Sequence, residues 1–297
     1  MTATSGTLRY NKTASTLICA GAYIVAGAAA LAAGYLVPGT NVIITALAAD
    51  CAATVVVFIF SLALNNSSMY DPYWSVAPLP IALYWLAGGS GGGPSPRRIA
   101  VIALTAVWGA RLTYNWHRQW KGLAHEDWRY VNFRNTTGRL YWAVSFLGIH
   151  LYPTLMVFLG CVPLYAVMAG GGAPLGPLDL AAFAVTGGAI LVETIADRQL
   201  HAFVKSGPGD AILSSGIWAY SRHPNYFGEV CYWWGLFLFS LAAGAFHWWT
   251  IAGAAAITVM FAGVSIPLME KRMLSRRPLF AERRRKVSAL VPWFPKK

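Results

Sequence analysis

Eight runs of this chain are long and apolar enough to be read as membrane crossings: residues 14–37, 41–64, 75–87, 99–114, 140–169, 178–203, 226–246 and 249–269. A crossing helix needs about 20 predominantly apolar residues. In hydrocarbon every backbone N–H and C=O must be paired within the protein, which leaves only helices and closed barrels. Apolar runs of this length predict helices rather than strands. The expected fold class is therefore all-α, a polytopic membrane protein with seven or eight transmembrane helices. The range comes from the third run, which is short and contains Pro78 and Pro80, so it predicts a broken or re-entrant piece.

Composition agrees. Of 297 residues, 57% are hydrophobic and 11% are charged, against about 25% charged in a soluble domain. Thirteen tryptophans suit helix ends at the headgroup level. Residues 1–13 lack a basic region followed by a short apolar run and a cleavage site, so no removed signal peptide is expected. The glycine-rich stretch 88–96 reads as a linker, since no strand precedes it and no phosphate-loop spacing occurs. The whole of 1–297 reads as a single integral membrane domain.

The formal net charge of +12 would raise nucleic acid as a partner in a soluble protein, but no nucleic-acid motif is present. The positive charge sits instead where cytoplasmic loops carry it. Arg9 and Lys12 precede the first run, Arg118 to Arg139 follow the fourth, Lys205, Arg222 and His223 follow the sixth, and Arg272 to Lys286 follow the last. Eight spans with both termini in the cytoplasm satisfy these positions, Arg97-Arg98 excepted. Cys19, Cys51, Cys161 and Cys231 lie in or beside apolar runs without CxxC spacing, so neither a disulfide framework nor a metal site is indicated. The six histidines are scattered at 117, 125, 150, 201, 223 and 247, unlike the histidine-rich boxes of a di-iron hydroxylase.

Polar residues concentrate in a few places, and at a membrane boundary they are costly unless they bind something. Tyr220-Ser-Arg-His-Pro-Asn-Tyr-Phe-Gly-Glu229 runs straight into an apolar segment. Upstream, Glu193, Asp197, His201 and Lys205 recur every four residues and so share one helical face. A carboxylate deep in a span costs about 2.5–3.5 kcal/mol, which a snorkelling helix end does not explain for Glu193 and Asp197. The segments Asn115 to Trp120 and His125-Glu-Asp-Trp-Arg-Tyr130 interleave Arg with aromatic rings, a surface able to pair guanidinium with phosphate and stack a base. The cluster Asn65 to Ser75 holds Asp71 between Tyr70 and Tyr73 at a helix break. A carboxylate beside a phenol is a plausible proton-donor assembly for a carbonyl oxygen gaining charge. Asp50 is a separate carboxylate within the second run. The tail from Glu270 to Trp293 is a basic amphipathic stretch suited to an anionic leaflet; the alternative is that Arg276, Arg277 or Lys286 covers a phosphorylated cofactor.

These clusters together resemble the steroid 5-alpha-reductase superfamily, and most closely its bacterial branch of uncharacterised membrane proteins. Ser221-Arg-His-Pro-Asn-Tyr-Phe-Gly-Glu229 is similar to the superfamily's C-terminal signature, shared with sterol reductases and loosely with isoprenylcysteine methyltransferases. The bacterial branch also resembles the chain at Tyr70-Asp-Pro-Tyr-Trp-Ser75 and His125-Glu-Asp-Trp-Arg-Tyr130. The resemblance implies NADPH held in a C-terminal part, residues 178–295, by Glu193, Asp197, Arg222, His223, Asn225, Tyr226 and Glu229, and His201 is added from its place on the same helical face as Glu193 and Asp197. Arg129, from the Arg-aromatic loop, joins this cofactor-binding set. It implies an acid and a phenol that polarise a substrate carbonyl: Asp71 for the acid, and Tyr70, Tyr73 or Tyr114 for the phenol.

The expected activity is NADPH-dependent reduction of a carbon–carbon double bond conjugated to a carbonyl in a steroid-like or isoprenoid substrate. Partners would be that lipidic molecule and membrane lipids. The alternatives are an S-adenosylmethionine-dependent methyltransferase of the isoprenylcysteine type and a non-catalytic lipid-binding protein. The expected location is a bacterial inner membrane, with the cofactor site and C-terminus facing the cytoplasm.

Overall fold

The computed structural model describes residues 11–37, 41–89, 95–170, 173–207, 209–244 and 247–296. Arg9, the stretch 1–10 considered for a signal peptide, the middle of the glycine-rich linker (90–94) and Phe246 lie outside the described residues. In chain order the helices are α1 (Lys12–Leu36), α2 (Val42–Ala63), α3 (Tyr73–Val76), α4 (Pro78–Gly88), α5 (Pro96–Gln119), α6 (Trp128–Thr137), α7 (Tyr141–Val144), α8 (Tyr152–Ala169), α9 (Pro177–Lys205), α10 (Pro224–Ala242), α11 (Ile251–Met260), α12 (Ile266–Arg276) and α13 (Phe280–Lys286). No strand occurs among the described residues.

Local chemistry sets the helix starts. Asn11 and Asn41 cap α1 and α2, their side chains accepting from Ala14 N and Ile43 N at 2.8 Å each, which satisfies amides the helix leaves unpaired. Pro78, Pro96, Pro177 and Pro224 each open a helix, where a missing N–H costs nothing and φ is already helical. The same prolines explain the broken third run: the chain turns at Ala77, and α4 has only 11 residues, about 17 Å against a hydrocarbon core of about 30 Å. Prolines inside long helices leave another mark. π-helical stretches at Ser145–Leu151 and Phe261–Ser265 stand immediately before Pro153 and Pro267. Each proline removes a bond and crowds the carbonyl four residues back, and the wider turn absorbs both defects.

Among the described residues, five helical stretches are long and apolar enough to cross a membrane: Lys12–Leu36, Val42–Ala63, Trp128–Ala169, Pro177–Lys205 and Trp248–Arg276. Leu31, Tyr35, Leu180 and Val259 stand exposed along them, a pattern that needs lipid rather than water as solvent. The chain is an all-α membrane protein. The loop expected after the fourth run is partly helical: α5 continues to Gln119, and α6 begins at Trp128, where Asp127 caps it by accepting from Arg129 N at 2.8 Å.

The chain divides into two compact units, Met1–Gly88 with Gly109–Phe158, and Gly89–Trp108 with Leu159–Lys297. In the first, α1 packs along α2, and the second half of α5 approaches α3 closely. A Cβ on Gly109 would lie 2.4 Å from the carbonyl oxygen of Ser75.

In the second unit α9 and α10 pack along their lengths through Gly228 and Gly235. A Cβ at Gly228 would meet Glu193 Cγ at 2.4 Å, and one at Gly235 would meet Thr186 Oγ1 at 2.1 Å. Gly253 of α11 lies against the middle of α8, at Leu159 and Gly160, in the same way. Arg97 and Arg98, the residues that disagreed with the charge-based topology, are buried here. Arg97 grips Asp179 with Nε at 2.6 Å and Nη2 at 2.8 Å and donates to the carbonyls of Ala173 and Pro174. Arg98 donates to the carbonyls of Val167 and Gly170. Both arginines are spent on the segment joining α8 to α9.

Packing at Gly253 gives a direct test. A methyl there meets Leu159 O at 2.1 Å and Gly160 Cα at 2.9 Å, backbone atoms that no rotamer change relieves. Overpacking of about 1–3 kcal/mol then exceeds the gain of up to about 1 kcal/mol from replacing a helical glycine. Gly253→Ala should lower the melting temperature in detergent. Gly188→Ala, with nothing within 4 Å of its Cβ, should leave it unchanged or raise it.

Candidate functional site

Two polar motifs of the first unit are stitched together by backbone and side-chain hydrogen bonds. Asn65 closes α2 with φ 52°, a left-handed conformation that Asn tolerates better than most residues. Asn66 Oδ1 accepts from Ser68 N, and its Nδ2 donates to the carbonyls of Leu123 and His125. Glu126 Oε1 accepts from Ser67 N at 2.8 Å, and Ser68 Oγ accepts from Asp127 N at 2.8 Å. Tyr141 and Arg134 also donate to Glu126. The stretches Asn65–Ser75 and His125–Tyr130 are thus held in fixed register.

The register delivers Asp71 to Tyr130. The phenol donates to Asp71 Oδ1 at 2.5 Å. Arg129 Nη2 stands 3.9 Å from the same oxygen. Arg129 is steadied by Asp127, to which its Nε donates at 2.8 Å, and its guanidinium lies 5.3 Å from the Tyr130 ring centroid. Burial pushes the Asp71 carboxyl up to about 7, against the opposing pull of Arg129 and the Tyr130 hydrogen bond. An acid that exchanges its proton near neutrality suits proton transfer.

The phenols expected beside Asp71 go elsewhere. Tyr70 lies 2.8 Å from Thr154 Oγ1, and Tyr73 donates to Asp50 Oδ1 at 2.6 Å. Their rings stack, with centroids 5.3 Å apart. Tyr114 is 65% exposed on α5, its ring 5.8 Å from the Arg118 guanidinium. Among the described residues this unit therefore holds three carboxylate–phenol pairs, Asp71–Tyr130, Asp50–Tyr73 and Glu126–Tyr141. Tyr130 was missed as a partner because the pair spans 59 positions. Its only sequence signal was membership of the Arg-aromatic motif.

In the second unit the predicted face of α9 is graded: Glu193 is buried, Asp197 and His201 are half-buried, and Lys205 is exposed at the helix end. Trp218 Nε1 donates to Ala196 O at 3.1 Å, and Ile217 N donates to Gln199 Oε1 at 3.2 Å, bringing the Ser221–Glu229 segment onto this end of α9. Arg222 Nε then donates to Glu270 Oε1 at 2.6 Å. Its Nη1 donates to the carbonyls of Arg284 and Val287. His223 Nε2 is 3.4 Å from Glu270, and Arg284 Nε is 3.0 Å from the other carboxylate oxygen. The His223 ring stacks on Tyr226, centroids 5.3 Å apart and planes 8° from parallel. Asn225 is half-buried in the first turn of α10.

Glu229 faces the core. Its carboxylate accepts from Trp108 Nε1 at 3.1 Å and from Trp233 Nε1 at 2.9 Å, and Trp108 stacks on Tyr232 at 4.4 Å. Gly228 has a packing reason of its own, since only a residue without Cβ admits Glu193. Within this unit, Arg222, His223 and Tyr226 share one cluster, Asp197 and His201 lie along α9, and Glu193 and Glu229 are interior. Glu270, the carboxylate on which the cationic residues converge, was visible in sequence only as the start of the basic tail.

The Asp71 environment makes a pH prediction. A carboxyl near 3.8 when unfolded and about 7 when folded binds more protons in the folded state between those values. Its contribution to stability therefore falls as pH rises from about 4 through 7. Asp71→Asn should flatten that part of the melting-temperature profile. Arg129→Gln removes a group that favours the charged form, so it should move the midpoint of the Asp71 carboxyl band, followed by infrared spectroscopy, to higher pH.

No solved structure matches the chain. The uncharacterized protein C594.04c of Schizosaccharomyces pombe is similar to it, 29% identical over 254 aligned residues that cover 77% of this chain and 73% of its own. The profile of the family described as protein of unknown function DUF1295 matches residues 57–287, a range that holds both the Asp71–Tyr130 pair and the Arg222–Glu270 cluster, and the chain belongs to that family.

Proposed function

We propose that the protein is an NADPH-dependent reductase of a carbon–carbon double bond conjugated to a carbonyl, acting on an apolar substrate that enters from the bilayer. The observation that carries this reading is the hydrogen bond of 2.5 Å between Tyr130 and Asp71, with the carboxyl pushed up to about 7. When the Asp71 carboxyl is protonated it can donate to the Tyr130 oxygen, freeing the phenol O–H to hydrogen-bond a carbonyl oxygen as it gains charge; the phenol proton can then pass to the enolate while the Asp71 proton replaces it on Tyr130. Asp50–Tyr73 supports the same unit as a second pair, stacked on Tyr70.

The residues of the second unit fit a dinucleotide by their chemistry. Guanidinium groups at Arg222 and Arg284 suit phosphate, the paired rings of His223 and Tyr226 suit a planar heterocycle, and the half-buried Asn225 carboxamide suits a carboxamide partner. NADPH, when bound, supplies hydride to the β-carbon of the enone. In this reading Arg222, His223, Asn225, Tyr226, Asp197 and His201 line the cofactor site, while Glu193 and Glu229 hold α9 and α10 in place beneath it. The five long spans are joined by Pro96–Gln119 and Pro224–Ala242 to give seven crossings, with the short Pro78–Gly88 making eight. Since Arg97 and Arg98 are taken up by Asp179 and nearby carbonyls, they need not oppose an orientation with the C-terminus and cofactor site in the cytoplasm. That membrane would be a bacterial inner membrane.

The test is cofactor choice. Purified protein is titrated with NADPH, NADH and S-adenosylmethionine while its melting temperature is followed, and selective stabilisation by NADPH is expected. Stabilisation by S-adenosylmethionine alone overturns the reductase reading in favour of methyl transfer. Asn225→Ala should weaken NADPH binding at least tenfold without lowering the unliganded melting temperature. Asp71→Asn and Tyr130→Phe should retain NADPH binding and lose at least a hundredfold in turnover of an enone, and full activity in both removes the pair from the reaction.

A further inference from the structure

The C-terminal segment is not a loose basic tail. Arg222 N donates to Ser288 O at 2.9 Å, Ser221 Oγ to Leu290 O at 2.8 Å, and Trp293 N to Tyr220 O at 2.9 Å. Arg283 donates to Trp218 O and Arg277 to Ala211 O. Val287 and Phe280 are buried. The segment is therefore fixed along the stretch 211–222, at the end of the second unit where α9 finishes, α10 starts and α12 finishes.

What it turns outward is apolar. Leu279, Val291, Trp293 and Phe294 are 64%, 57%, 71% and 76% exposed, with Phe294 edge-on to Tyr220 at 5.9 Å. Around these rings the charge is almost all of one sign. Residues 271–296 hold nine Lys or Arg and one acidic side chain, Glu282, which Lys286 neutralises at 2.9 Å. Arg285 and Lys296 are exposed beside it. A fixed backbone presenting Trp and Phe within a cationic rim matches the boundary of an anionic bilayer, with rings at the acyl edge and guanidinium and ammonium groups on phosphate. A protein partner of the same charge preference would not need two large rings standing at the end of membrane-crossing helices.

We infer that residues 277–296 form a docking surface for anionic phospholipid headgroups, with Trp293 and Phe294 inserted at the acyl boundary. This stands independently of the reductase reading, because Arg285, Lys286, Trp293, Phe294 and Lys296, the residues that carry it, touch neither substrate nor cofactor in that reading.

The experiment uses the full chain in nanodiscs of phosphatidylcholine containing either dibrominated phosphatidylcholine or dibrominated phosphatidylglycerol at equal mole fraction. The Trp293 contribution to fluorescence is isolated by difference with Trp293→Phe. Quenching of that component should be at least twofold stronger with brominated phosphatidylglycerol. The preference should vanish in Arg285→Gln/Lys286→Gln/Lys296→Gln, and in the unmodified chain at high salt, which screens surface charge and does not depend on the variant's folding. Equal quenching by both lipids, absence of Trp293 quenching, or a preference that survives high salt each overturns the assignment.

Discussion

A carboxylate withdrawn from water must find donors inside the protein or give up its charge, and both units are organised around how that requirement is met. Glu270 takes Arg222 and Arg284. Asp179 takes Arg97. Glu126 takes Arg134, Tyr141 and a backbone amide. Glu229 takes two indoles. Each of these ties together segments distant in the chain, so satisfying the charge and specifying the fold are the same event. Asp71 stands apart, because burial outweighs the help it receives from Arg129 and Tyr130. A carboxyl left in that balance is suited to exchange a proton.

The dense polarity of Ser221–Glu229 resolves into several separate duties. Ser221 and Arg222 hold the C-terminal segment, Pro224 opens α10, Gly228 admits Glu193, and Glu229 anchors Trp108 and Trp233. His223, Asn225 and Tyr226 make up the rest of the stretch, with the His223 and Tyr226 rings stacked at the start of α10. A motif that looks uniform in sequence is therefore half scaffold, and the scaffold half explains its density at a helix start. Helix pairing does the rest: glycines at 228 and 235 let α9 and α10 meet at backbone distance, the kind of close approach that substitutes for hydrophobic driving force in a membrane.

Much of the fold was legible in the chain because membrane helices answer to local rules. Length and apolarity marked eight runs, of which five are long apolar helices among the described residues, Pro78 and Pro80 marked the broken third one, and the four-residue recurrence of Glu193, Asp197, His201 and Lys205 put them on one face of α9. The site was less legible. That Asp71 belongs to a polar cluster could be read from its neighbours, but Tyr70 and Tyr73 are nearest in sequence and turn to Thr154 and Asp50 instead. Adjacent residues on a tight turn point in different directions, so proximity along the chain does not choose a partner.

By itself, then, the sequence determined an all-α membrane protein and which stretches carry its polar residues, since backbone pairing in hydrocarbon and proline geometry act over one or two turns. Tertiary structure alone decided that Asp71 meets Tyr130, that Arg97 and Arg98 are neutralised internally, and that the basic tail is fastened to Ser221 and Arg222. Those outcomes depend on residues 59 to 82 positions apart being brought within hydrogen-bonding distance, and no periodicity in the chain encodes such a separation.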